Sequence, residues 1–227
     1  MPRRPAQDTI PHLPPAADTR WHDRFLFAAY YAIAFVLLGI VVSGRSPSIF
    51  DVPGRAFAGH GVPVARLITG AGLFPVYATI SVVLLIAGFY ERRWLRAVLV
   101  SIITLVAAWQ VSDACKALFH RPRPSYWAGI HETSASYPSG HATLVIAFYG
   151  FWTAVAWASG LPLNVKRWIR IAFALWALAI GWSRLALGAH YVTDIIGGYL
   201  LGAALASLAM IAYRALGNPD EARVPKS

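Results

Sequence analysis

Six apolar runs divide the chain, and each approaches the ~20 residues that a helix needs to cross the hydrocarbon core of a bilayer. They cover Phe25–Ser43, Leu73–Tyr90, Leu95–Val111, Ala142–Ser159, Ile169–Leu187 and Val192–Tyr213. The connecting stretches "YERRW" and "LPLNVKRW" are short. The second and third runs, and the fourth and fifth, are therefore expected to be antiparallel neighbours. The stretch between the first two runs is rich in Gly and Pro. It contains a shorter apolar pattern around Val62–Gly72, which predicts an interfacial helix leading into the second span. Asp51, Arg55 and His60 in the same stretch are expected to be solvated or interfacial. On the last run, Gly198 and Gly202 form a G-x-x-x-G pair, the mark of close helix packing. The pattern predicts an all-α, polytopic integral membrane protein with six transmembrane helices. Its parts would be a flexible Pro-rich N-terminus (1–24), a single six-span domain (25–215) and a short C-terminal tail (216–227).

Composition agrees. The 227 residues are 57% hydrophobic and 13% charged, against about 25% charged in a soluble domain. A net charge of +10 would suggest nucleic acid in a soluble protein, but here the cations flank helices. With the N-terminus in the cytoplasm, 13 of the 20 Lys and Arg fall on the inner side. The positive-inside rule then places both termini in the cytoplasm, and Trp94 and Trp168 sit beside inner-side cations as an aromatic belt would. The N-terminal stretch carries acidic as well as basic residues, and Phe25–Ser43 is too long for a signal-peptide core, so it is read as an uncleaved first span. The lone Cys115 excludes an internal disulfide.

Three polar clusters break the apolar pattern, and this topology puts all of them on the outer side. "KALFHRPRP" (Lys116 to Pro124) follows the third run, "PSGH" (Pro138 to His141) opens the fourth, and "SRLALGAHYVTD" (Ser183 to Asp194) joins the fifth and sixth. Ionisable residues at membrane depth are costly and point to function. Lys116, Arg123 and Arg184 have few acids nearby, and a small multiply charged anion such as phosphate suits forked guanidinium donors. Ser139 and Gly140 precede a helix, where hydroxyl, backbone N–H and helix dipole can all face that anion. His190 and Asp194 are spaced i, i+4, which puts them on one helix face if the sixth span starts early enough. A carboxylate on one imidazole nitrogen leaves the other free as nucleophile or base. His141 supplies a second imidazole.

Lys116-x6-Arg123-Pro124, Pro138-Ser139-Gly140-His141 and Ser183-Arg184-x5-His190-x3-Asp194 together resemble the three-part signature of the type 2 phosphatidic acid phosphatase superfamily, in its membrane lipid phosphatase branch. The resemblance implies a phosphatase-type helical core. It also implies that His190 attacks phosphorus to form a phosphohistidine, with Asp194 orienting the ring. His141 would protonate the leaving oxygen and then activate water. Lys116, Arg123, Ser139, Gly140 and Arg184 would hold the phosphate oxygens. No metal or other cofactor is implied, because cations do the neutralising and no carboxylate cluster is visible. The partners are a lipid phosphate and the bilayer, with no nucleic acid and no obligatory protein partner. The expected location is a bacterial inner membrane with the site facing outward. Undecaprenyl diphosphate, phosphatidylglycerol phosphate, phosphatidic acid and lipid A phosphate all fit as substrates.

A phosphotransferase would use identical pocket residues. The six spans argue against a soluble vanadate-dependent haloperoxidase, and an anion transporter gives no reason for an oriented His/Asp pair. Among neighbouring residues, Arg121 is an auxiliary cation or a surface charge, Asp113 a partner for Lys116 or a nearby Arg, and Cys115 packing. His120, His131 and Glu132 read as surface loop. The 13 residues from Ser125 to Tyr137 leave little room for a lid, so the pocket is expected to be open.

Overall fold

A computed structural model of the chain describes residues 20–44, 47–126 and 132–216. Among these there are helices and turns but no strands. The long helices are α1 (Arg20–Val42), α4 (Phe74–Tyr90), α5 (Arg92–Phe119), α6 (Gly140–Ala158), α7 (Leu163–Ala186) and α8 (Val192–Ala215). Between α1 and α4 lie a 3-10 turn (Ile49–Asp51), a single helical turn α2 (Val52–Arg55) and α3 (Val62–Ala71).

Five of these helices are individually long and apolar enough to span a membrane. The second expected span corresponds to α4, which qualifies only together with α3, bent by 41° at the break between them. Gly72 and Leu73 make that break, and Pro75 sits in the first turn of α4, where a missing N–H removes no helical bond. The interfacial helix expected around Val62–Gly72 is α3. The third span runs further than expected. α5 continues through Asp113 and Lys116 and stops at His120, whose left-handed backbone (φ 47°) ends the helix. The first polar cluster thus begins on the helix itself. The expected N-terminal and C-terminal segments lie almost wholly outside the described residues, although α1 already begins at Arg20.

The core is built where small residues let helices close up. α6 and α8 make the most extensive contact, and α1 lies along the other side of α8. A Cβ on Gly198 would come within 2.6 Å of the Ser139 carbonyl oxygen, and one on Gly202 within 2.6 Å of that of Thr143. The G-x-x-x-G pair is therefore spent on the α6–α8 contact. Ala28, Phe35 and Val42 are buried at heptad spacing on α1, whereas Phe25, Leu26, Phe27, Ile33 and Leu37 on the same helix are all more than half exposed. An exterior this apolar is suited to lipid rather than water, and the protein is a polytopic integral membrane protein. Tyr77, Leu105, Leu144 and Phe148 join α4, α5 and α6 in one apolar cluster. Phe35, Phe119 and Tyr137 join α1, α5 and the loop before α6 in another.

Candidate active site

The long helices bring their polar ends to one place. Lys116 from the end of α5, Gly140 and His141 from the first turn of α6, Arg184 from the last turn of α7 and His190 before α8 all line one cavity of about 400 Å³. Its other wall is apolar and includes Leu73, Phe74, Trp109 and Leu144. Phe74 and Trp109 stack there with ring centroids 4.9 Å apart. The cavity thus joins a cationic end to an apolar flank between α4 and α5.

Ser139 is the N-cap residue of α6, yet its hydroxyl makes no capping bond. Its carbonyl accepts from the Thr143 amide (3.0 Å) and hydroxyl (3.1 Å), and its own amide donates to the Asp194 carbonyl (3.0 Å). The backbone of the second cluster is thereby fastened to α8 while its side chain stays unengaged. Ser139 Oγ, Ser112 Oγ, His141 Nε2 and Arg184 Nε are buried without a protein partner among the described residues. Buried polar atoms are normally paired, so this convergence marks a place for a polar ligand. Gly140 matters for its missing side chain, since a Cβ would stand 3.7 Å from Lys116 Nζ and 3.6 Å from Ser112 Oγ.

His190 is buried (2% exposed). Arg123 Nη1 donates to His190 Nε2 at 3.2 Å and to the Ala189 carbonyl at 2.8 Å. A guanidinium has donors only, so Nε2 is the unprotonated nitrogen and the ring proton sits on Nδ1. That proton faces Asp194 Oδ2 at 3.5 Å and Ser136 Oγ at 3.4 Å. Burial, and then the cations of Arg123 and Arg184, hold the His190 imidazole well below its ordinary pKa, which keeps it neutral near pH 7. Asp194 Oδ2 also accepts from the Tyr191 amide (2.8 Å) and from Ser136 Oγ. Asp194 is thus fixed at the N-terminus of α8, where the helix dipole favours a carboxylate.

The eight candidate catalytic and phosphate-binding residues lie at this end of the molecule. Lys116, Gly140, His141, Arg184 and His190 share the cavity; Arg123 and Asp194 grip His190 from outside it, and Ser139 adjoins Gly140. Lys116 pairs with Asp113 at 2.9 Å, one of the two expected partners. Asp51 is fully buried, which overturns its reading as solvated or interfacial, and Arg121 is 1% exposed, which leaves the auxiliary cation of its two alternatives. The surface-loop reading of Glu132 is overturned as well. Glu132 bridges the two cradle arginines, Arg123 Nη2 at 2.7 Å and Arg184 Nη2 more closely still. Burial alone would push the Glu132 carboxyl up; the cations of Arg184 and Arg123 outweigh it and hold the group below the ordinary carboxylate range. Ser136, Thr193 and Thr69 also reach the site without having been anticipated. Only Ser136 had a nearby signal, its place three residues before Ser139. His131 lies outside the described residues.

The model of the PAP2 superfamily matches residues 94–217, from the start of α5 to the end of α8. The chain belongs to this superfamily. Among curated relatives, phosphatidylglycerophosphatase B of Bacillus subtilis is 32% identical over 138 residues, 60% of each chain. Lipid A 1-phosphatase of Rhizobium johnstonii is 29% identical over 213 residues, 83% of this chain and 82% of the relative. An undecaprenyl-diphosphatase of Sulfolobus acidocaldarius is 30% identical over 138 residues, 59% of this chain and 63% of the relative. The chain therefore matches less than two thirds of the length of some of these relatives. The fold is that of a transmembrane PAP2-type phosphatidylglycerolphosphate phosphatase from Bacillus subtilis, whose crystal structure aligns with a TM-score of 0.68 at 22% identity over 88% of this chain and 98% of that one.

Proposed function

We propose that this protein hydrolyses a lipid phosphate or diphosphate through a phosphohistidine on His190, without a metal ion and at the outer face of the membrane. The observation that carries the proposal is the state of His190: neutral, with Nε2 turned to the cations and Nδ1 turned to Asp194. The Nε2 lone pair attacks phosphorus while Arg123, Arg184 and Lys116 balance charge on the phosphoryl oxygens. The bond from phosphorus to the leaving oxygen breaks (the lipid oxygen of a monophosphate, the bridging oxygen of a diphosphate), and His141 gives that oxygen a proton. His141 then takes a proton from water as the water attacks phosphorus, the P–N bond breaks, and inorganic phosphate leaves. As the ring gains positive charge in the first step, Asp194 is already in place to face it.

The donor set is cationic, and the nearby carboxylates Asp51, Asp113 and Glu132 are each held by Lys or Arg, which suits a phosphate better than a hard divalent cation. The apolar flank of the cavity suits a lipid chain, and the names of the relatives are of enzymes acting on lipid phosphates. The cation count on either side of the spans favours the outer face. Detergent-solubilised protein is expected to release phosphate from one or more of phosphatidic acid, phosphatidylglycerol phosphate, lipid A and an isoprenyl diphosphate, with EDTA present. His190→Ala is expected to abolish that release. Turnover surviving in His190→Ala, or appearing only with Mg²⁺, would contradict the mechanism.

A further inference from the structure

Behind Asp194 stands an ion cluster that no step above uses. Arg121 Nη1 donates to Asp194 Oδ1 at 2.5 Å and to Thr193 Oγ1 at 2.6 Å, and Nη2 donates to Asp51 Oδ2 at 2.7 Å. The guanidinium lies over the Tyr191 ring, 4.4 Å from its centroid. Both carboxylates and the guanidinium are fully buried. Asp51 reaches α8 directly as well. Its Oδ1 accepts from the Thr193 amide (3.0 Å) and hydroxyl (2.7 Å), and its Oδ2 accepts from Ser48. A loop that follows α1 thus supplies an acceptor to an unpaired first-turn amide of α8, in trans.

We propose that Arg121, backed by Asp51, is a positioning residue for the Asp194–His190 pair. The inference rests on the reading of His190 as nucleophile. Asp194 Oδ1 is held by Arg121, so Oδ2 is left to Ser136, the Tyr191 amide and His190. The fork sets which oxygen faces the ring and in what plane. A lysine ammonium, a point donor on a flexible stem, cannot span two carboxylates in this way. The charges matter as much as the geometry. A lone guanidinium against Asp194 would cancel it, whereas two carboxylates sharing one guanidinium carry a net single negative charge. His190 acquires one positive charge when Nε2 bonds to phosphorus, and this cluster is its counterion on the Nδ1 side. The other charged or titratable groups around His190 are Arg123, Arg184, Glu132 and His141, of which only Glu132 is acidic.

The test compares Arg121→Met, Arg121→Lys and Asp51→Asn with His190→Ala, following phosphate release from detergent-dispersed phosphatidic acid and counting only protein that elutes folded from gel filtration. Misorienting a reacting group by about 1 Å costs on the order of 100-fold. Arg121→Met should lose roughly that much in kcat with KM within about threefold, as expected for an interaction made only in the transition state. Arg121→Lys, which keeps the charge but not the fork, should lose roughly tenfold. Asp51→Asn keeps the shape, removes one negative charge and touches neither His190 nor the cavity; it should also lower kcat by roughly tenfold. If Arg121→Met does not fold, the two milder variants decide. Folded Arg121→Lys and Asp51→Asn with wild-type kcat would reduce the cluster to a structural clamp and overturn the proposal. Turnover in His190→Ala would instead remove the reading on which it rests.

Discussion

Glu132 holds the two arginines that a phosphate has to reach. Its carboxylate spans Arg123 and Arg184, so an incoming anion must displace it, and each displaced contact lowers apparent affinity. Partly exposed ion pairs are worth up to about 1 kcal/mol, equivalent to roughly fivefold in binding. Glu132→Gln should therefore lower KM for a lipid phosphate and Ki for inorganic phosphate by about fivefold, with kcat nearly unchanged. Inhibition by inorganic phosphate and steady-state turnover measure both. A raised KM would show instead that Glu132 serves to hold the arginines in position. At this scale the sequence was informative where residues are close in the chain or matched by a signature, as with His190 and Asp194. It misplaced Glu132 and Asp51 and left Arg121 open. Their pairings join residues up to 142 positions apart, as between Asp51 and Thr193, and no local spacing or periodicity encodes such a contact. Asp51 in a Gly- and Pro-rich stretch has the composition of a solvated loop, and only its buried partners make it otherwise.

Every long helix but α1 contributes one end to the site, and this explains why the polar clusters sit where they do. The hydrophobic runs located all six spans but misjudged their ends, because the apolar stripe stops before the helix does. α5 carries Asp113 and Lys116 on its final turns, and the fork of Arg184 reaches Glu132 from the last turn of α7. The division of the second span was half legible: the pattern around Val62–Gly72 predicted α3, and the apolar run from Leu73 predicted α4. The bend of 41° depends on how α3 packs against α7, through Ala65, Ala186 and Leu187 and the 2.8 Å contact between Thr69 Oγ1 and Ser183 Oγ. The helix-packing role expected for Gly198 and Gly202 has a direct bearing on the site. Gly198 allows α8 to approach the Ser139 carbonyl, which holds the first turn of α6 next to the Asp194 turn of α8.

As a whole molecule, the protein places its cations asymmetrically. The inner-side excess argues that the cavity opens outward, and this has a simple test. Ser125 is exposed beside the first signature. Ser125→Cys in a Cys115→Ala background should react with a membrane-impermeant maleimide on intact cells; labelling only after permeabilisation would place the site inside. The account as a whole depends on one covalent bond, between phosphorus and His190 Nε2. Rapid quenching of the wild-type protein with a lipid phosphate labelled at phosphorus, followed by mass spectrometry of the peptide containing His190, measures it directly. The expected result is an acid-labile, alkali-stable phosphoryl group on His190 that forms and decays with turnover and is absent in His190→Ala. Label on another residue, or turnover with no covalent label at any quench time in a protein that releases phosphate, would contradict the account.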